Sequence, residues 1–334
     1  MTFKKATSVA FFIEKFKGSE LLKINNSDPL DLLVQLRCYK PMKINMLLSM
    51  NLKTPLLALL VWLSLISPFS LVTAAPANVV IEQNAVTLPS LDRSRTIRVY
   101  LPPSYHQSDK RYPVLYMHDA QNLFDDKTSY AGEWGIDESL DNLAKTTGFE
   151  AIVVGIDNHP EYRLNEYSPW THEKYGVGEG KKFVADLVST LKPYIDQHYR
   201  TNSDKANTAI FGSSLGAFIS HYALLAYPET FSRAGLFSPS YWYSDKVWTF
   251  TEKHAAKINN SQVYLLVGGQ EGESMVPDMM KMAELLRTSL PDSSTVQAKV
   301  VKAGKHNEGF WRSEFAEAII WLYGLETDSK ISGD

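Results

Sequence analysis

The chain has 334 residues, 44% of them hydrophobic and 21% charged, the balance of a globular protein able to bury a sizeable core. Its net charge is −3, but residues 1–74 hold 9 basic and 4 acidic side chains, so the remainder carries 25 basic against 33 acidic, a net of −8. That balance argues against nucleic acid or an anionic membrane surface as a partner.

In chain order, residues 1–49 are mildly basic and show no hydrophobic period. They read as a non-native or disordered extension ahead of a true start at Met50 or Met46. From Met50 the sequence runs "MNLKTPLLALLVWLSLISPFSLVTAAPA". Lys53 leads into an apolar run at 56–66, then Pro68, then small residues at Val72 and Ala74 or at Thr73 and Ala75. This is the order of a cleaved secretory signal, assigned to 50–75, and the run is shorter than the roughly 20 residues of a membrane span. A periplasmic or secreted protein is expected, with 76–334 as a single domain. The only cysteine, Cys38, would be lost with the leader, leaving a fold held by its core alone.

Beyond residue 76, β-branched or apolar runs alternate with amphipathic ones. "TIRVYL" (96–101), "YPVLYMH" (112–118) and "AIVVGI" (151–156) read as strands, the last two apolar enough to be buried on both faces. "EWGIDESLDNLAK" (133–145) and "GEGKKFVADLVSTLKPYIDQHY" (178–199) have helical spacing, the second with Phe183, Leu187, Leu191 and Ile195 on one face. "NTAIFG", "RAGLFS", "VYLLVGG" and "VQAKVV" read as further strands, and "SLGAFISHYALLAY", "DMMKMAELLRTSL" and "SEFAEAIIWLYG" as helices. The alternation predicts an α/β fold with a mostly parallel sheet covered on both faces. Sites in such sheets sit at the carboxyl ends of strands.

Ser214 lies where the strand "TAIF" turns into a helix, between Gly212 and Gly216. This is the context of a nucleophile elbow, G-x-S-x-G, in which small neighbours make room for a strained serine. The motif alone is weak, since glycine and serine are common in turns. A serine hydroxyl also needs a base. Among the eight histidines, only His306 comes late enough in a turn-like setting, "VVKAGKHNEGFW". The acid is expected after "VYLLVGG", where Glu271 stands first and Glu273 and Asp278 are alternatives. The oxyanion hole needs two amides, one from Leu215 and one from the loop "YMHDAQNLFDD" after the second predicted strand. His118 and Asp119 in that loop have no accompanying ligand set for a metal and read as structural residues hydrogen-bonding the loop.

Together with "RTIRVYLPPSY", "EWGIDESL", "FGSSLGAFISHYALLAYPETFSRAGLFSPSYWY", "LLVGGQEGE" and "KHNEGFW", these residues resemble the Putative esterase family of α/β-hydrolases. Its members include enterochelin, feruloyl and acetyl-xylan esterases and S-formylglutathione hydrolases. The resemblance runs from about Thr96 to Gly324 and implies an α/β-hydrolase fold. It implies Ser214 as nucleophile, His306 as base and Glu271 as acid, with Ala120 or Gln121 supplying the second oxyanion amide. The family loop usually reads H-D-G-Q-N, and Ala120 stands here in place of the glycine. On the substrate side, Tyr241 and Trp242 in "SPSYWYSD", Trp134 and Asn122 are expected to line the pocket. Trp170 and Trp311 occupy other strand-end loops, and residues 165–180 look like a flap.

The resulting expectation is a serine carboxyl-ester hydrolase acting through an acyl-enzyme on a small siderophore-type, acyl or aromatic ester, with no cofactor or metal. An acyltransferase, a thioesterase and a non-catalytic binding protein on the same fold are the alternatives. N-terminal sequencing of the protein from its native host is expected to find a start near residue 75. Peptides from residues 1–49 in the mature protein would overturn the leader assignment.

Overall fold

The computed structural model describes residues 78–326, so the extension and the signal segment lie outside the described residues. Eight strands form one sheet: β1 (Val79–Leu88), β2 (Arg93–Tyr100), β3 (Val114–His118), β4 (Ile152–Ile156), β5 (Thr208–Ser213), β6 (Arg233–Phe237), β7 (Gln262–Gly268) and β8 (Thr295–Val301). Their spatial order is β1-β2-β4-β3-β5-β6-β7-β8. β1 and β2 are antiparallel to their neighbours, and the pairs from β4 to β8 are parallel.

The helices are α1 (Ile136–Thr147), α2 (Arg163–Glu166), α3 (Gly180–Asp186), α4 (Lys192–His198), α5 (Leu215–Ala226), α6 (Lys246–His254), α7 (Met275–Ser289) and α8 (Glu308–Tyr323). Strand side chains alternate between two apolar layers. Leu115, Met117, Val153 and Phe211 pack with α1 and α8. Val114, Tyr116, Val154 and Ile210 pack with α3 to α7. Burial on both faces is what the continuous apolar runs of the central strands require.

The chain leaves β3 toward β4 on one side, then crosses to β5 on the other. The loops after β3 and β5 therefore diverge from adjacent strands, and a crevice opens between them at this switch point.

Three features differ from the sequence expectation. β1 was not anticipated: most of its residues are exposed, and its register shifts between Glu82 and Val86, with Asn84 at φ 52°. A half-exposed edge strand with a bulge has no two-residue alternation to read. The helix expected over 178–199 is broken into α3, a π-helical turn (Leu187–Leu191) and α4. Pro193, at the start of α4, has no N–H for the preceding turn and its ring would meet the carbonyl four residues back; a widened turn accommodates both. The 165–180 segment, read as a flap, is closed by bonds between its own residues and stacks Tyr175 on Tyr243. Glu179 N donates to Asn165 O at 2.7 Å, Gly180 N to Ser168 O at 2.8 Å, and Asn165 Nδ2 to Val177 O at 2.8 Å.

At the root of that segment, Glu166 is fully buried and accepts from Arg93 Nη1 at 2.9 Å and from Arg95 Nη2. This anchors α2, which carries a residue of the crevice. Glu166→Ala would strand the buried Arg95 guanidinium and is expected to cost about 3 kcal/mol. Urea unfolding of the variant beside wild type measures the loss.

Candidate active site

The strand-to-helix turn at Ser214 is sharp. Ser214 has φ 56° and ψ −123°, outside the regions open to ordinary side chains, a cost on the order of 1–3 kcal/mol. Its backbone is held on three sides. Ser214 N donates to Phe237 O at 2.9 Å, and Ser214 O accepts from Phe218 N at 3.1 Å and Ser240 N at 3.2 Å. The turn folds so tightly that the backbone of Gly216 occupies the place of a Cβ at position 212, so only glycine fits there. Ser214 Oγ meets Ser240 Oγ at 3.2 Å.

His306 sits in the loop between β8 and α8. Its Nδ1 donates to Glu271 Oε2 at 2.8 Å, which fixes the tautomer and leaves Nε2 with its lone pair. The histidine side chain is 37% exposed and that of Glu271 is 0% exposed. The other oxygen of Glu271, Oε1, accepts from Ser238 Oγ at 2.7 Å and from Gly268 N at 2.6 Å. Ser238 Oγ in turn accepts from Trp311 Nε1 at 2.8 Å. A carboxylate with this many donors is held in one orientation. Glu273 is exposed, and Asp278 belongs to the first turn of α7; neither bonds His306.

Ser214, His306, Gln121 and Asn122 border one cleft of about 620 Å³ at the switch point. The loop after β3 turns through Asp119, at φ 58° and ψ 47°, into a single 3-10 turn, Ala120–Asn122. The left-handed residue is therefore aspartate, which tolerates that region, and Ala120 needs no positive φ. Room for its methyl comes from Gly155 on β4, where an added Cβ would lie 2.7 Å from Ala120 Cβ. Among the described residues, the amides of Ala120, Gln121 and Leu215 donate to no backbone acceptor.

Asp119 holds the loop. It accepts from Arg163 Nε at 2.7 Å and Nη2 at 2.8 Å and from Asn158 Nδ2 at 2.6 Å. Burial disfavours its charge, but Arg163 and Asn158 outweigh burial and hold the carboxyl below the usual aspartate range. His118 differs from expectation: neither ring nitrogen has a hydrogen-bond partner. Burial against Tyr167 and Phe183 pushes its pKa down to about 4, so it is a neutral packing group at pH 7.

The aromatic expectations divide. Tyr241 is a core residue, not a pocket residue: it is buried and its hydroxyl bonds His221 Nδ1 at 2.9 Å. Trp134 is likewise buried, stacked on Phe237 with centroids 5.4 Å apart. Trp242 is 50% exposed but does not border the cleft. Trp170 is half-buried and packs on the core against Phe218 and Phe250. Trp311 does border the cleft, as does Tyr130, 95% exposed on the loop before α1. Ser238, Ser240, Arg163 and Glu308 were not singled out from the sequence. The first two lie in the quoted "SPSYWYSD", where nothing marks which serine faces the site. Among the described residues, no three His, Cys, Asp or Glu side chains come together to hold a metal ion.

Residues 89–322 match the family described as "Putative esterase". Protein YbbA of Bacillus subtilis is 27% identical over 245 residues, covering 69% of this chain and 93% of that protein. Among solved structures, an IroE-like serine hydrolase from Shewanella oneidensis superposes with a TM-score of 0.60 at 20% identity, covering 73% of this chain and 79% of the other. The enterobactin esterase FES of Shigella flexneri, in the presence of 2,3-dihydroxy-N-benzoyl-glycine, superposes at 0.57 and 18% identity, covering 75% of this chain and 60% of the other. At these identities the structural likeness speaks for the fold, the α/β-hydrolase arrangement. The family match spans most of the chain, which belongs to the Putative esterase family and is a carboxylic ester hydrolase.

Proposed function

We propose that the protein hydrolyses small-molecule carboxylic esters through an acyl-enzyme on Ser214. The observation that carries this reading is the 2.8 Å bond from His306 to the buried Glu271, beside the cleft that holds the strained Ser214. The reaction requires Ser214 Oγ to leave Ser240 Oγ and meet His306 Nε2, which borders the same cleft. Ser214 Oγ then attacks the ester carbonyl carbon as Nε2 takes its proton. Glu271 keeps the imidazole in the required tautomer and stabilises the imidazolium. The oxyanion accepts from Leu215 N and from Ala120 N or Gln121 N, none of which has a competing backbone acceptor. Collapse breaks the bond to the leaving alcohol, which takes the proton from His306. Water repeats the sequence: His306 deprotonates it, hydroxide adds to the acyl carbon, and the acid leaves as Ser214 regains its proton.

A cleft of about 620 Å³ suits a small ester of the siderophore, acyl or aromatic kind. The leader segment supports hydrolysis in the periplasm or outside the cell.

Hydrolysis of a p-nitrophenyl acyl series by protein starting at Ala75 tests the assignment. Ser214→Ala is expected to lower kcat on the order of 10⁶-fold and to abolish labelling by a fluorophosphonate. Turnover and labelling that survive this change would remove Ser214 from the reaction. Glu271→Gln should lower kcat on the order of 10⁴-fold with KM little changed, because the imidazole loses its fixed tautomer. Ser238→Ala takes one donor from Glu271 and is expected to lower kcat about tenfold, the worth of one hydrogen bond to a charged acceptor. Steady-state kinetics on the best ester of the series separates kcat from KM in both.

A further inference from the structure

One carboxyl in the cleft has no part in the reaction above. Glu308, at the first position of α8, is only 7% exposed yet borders the cleft beside His306. Its one side-chain partner is neutral: Asn122 Nδ2 donates to Oε1 at 3.2 Å. The helix N-terminus offers it partial compensation. Among the described residues it makes no salt bridge, and the one arginine bordering the cleft, Arg163, is taken up by both oxygens of Asp119. Burial accordingly pushes the Glu308 carboxyl above the usual glutamate range. Asp119 and Arg163 cancel, Glu271 is turned to His306, and Glu308 is left as the cleft carboxyl with no cation beside it.

A buried carboxylate without a cation is costly, and a ligand that brings the cation recovers that cost. The position of Glu308 says which part of a substrate meets it. His306 hands its proton to the leaving oxygen, so the alcohol arm of the ester lies against the loop of His306, two residues before Glu308. We propose that Glu308 is a cation subsite for the alcohol arm, and that the cleft takes esters of positively charged amino alcohols over neutral or anionic ones. The proposal rests on the ester-hydrolysis reading above.

Three esters of one acyl group, chosen as the best of the p-nitrophenyl series, test it: the choline ester, its neutral isostere the 3,3-dimethylbutyl ester, and the anionic glycolate ester. For the wild-type protein kcat/KM is expected to be about tenfold or more higher for choline than for dimethylbutyl, and lowest for glycolate. In Glu308→Gln the choline-to-dimethylbutyl ratio should fall to about one, while Glu308→Asp keeps its direction. A wild-type ratio near one overturns the proposal without any variant. A Glu308→Gln change that slows all three esters equally also overturns it, and would make Glu308 a positioning residue acting through His306. Failure of the ester-hydrolysis reading is told apart by p-nitrophenyl turnover that is absent or independent of Ser214. The subsite stays testable even then: choline chloride titrated into the wild-type protein should shift NMR signals of the cleft at millimolar concentration. The same signals should stay still in Glu308→Gln, and equal shifts in both proteins would overturn the proposal.

Discussion

A single buried carboxylate ties together the ends of three strands. Glu271 follows β7, accepts from Ser238 after β6, and receives His306 from the loop after β8. The amide of Gly268, the last residue of β7, closes the set. Each donor is fixed elsewhere: Ser238 by the indole of Trp311 on α8, and the strand ends by the sheet itself. A carboxylate so enclosed has few ways to move without losing a hydrogen bond. The imidazole orientation is therefore a property of the sheet edge as a whole, not of the short loop that carries it.

The opposite wall of the cleft has its own pin. Asp119, clamped by Arg163 and Asn158, holds the turn at Ala120–Asn122 in place. Arg163 lies on α2, whose Glu166 reaches back to Arg93 and Arg95 on β2. A chain of ion pairs thus runs from the antiparallel side of the sheet to the loop after β3. Asn122, which bonds Glu308, links that wall to the helix after His306.

The parts of the site that are local in sequence could be read from it. Gly212, Ser214 and Gly216 carry their own geometry, because a strand, a turn and a helix in ten residues leave few conformations. Glu271 and His306 were placed by strand-end position, but their partners were not: Ser238 and Trp311 are 73 residues apart, and a serine among serines carries no sign of which way it faces. Aromatic residues misled for the same reason. Tyr241 and Trp134 stand in strand-end segments, yet His221 and Phe237, both distant in sequence, draw them into the core. The strand β1 and the π-turn before Pro193 escaped because each breaks the period by which elements are recognised.

The Ala120 methyl and the missing side chain of Gly155 occupy one small volume shared by two adjacent strands' ends. The two positions are thus not free to vary separately. A side chain at 155 would also meet Arg98 O and Phe124 at 3.2 Å, so the spot would stay tight even with glycine at 120. What β4 lacks at residue 155, inside the sheet, therefore decides how close the turn above it can lie.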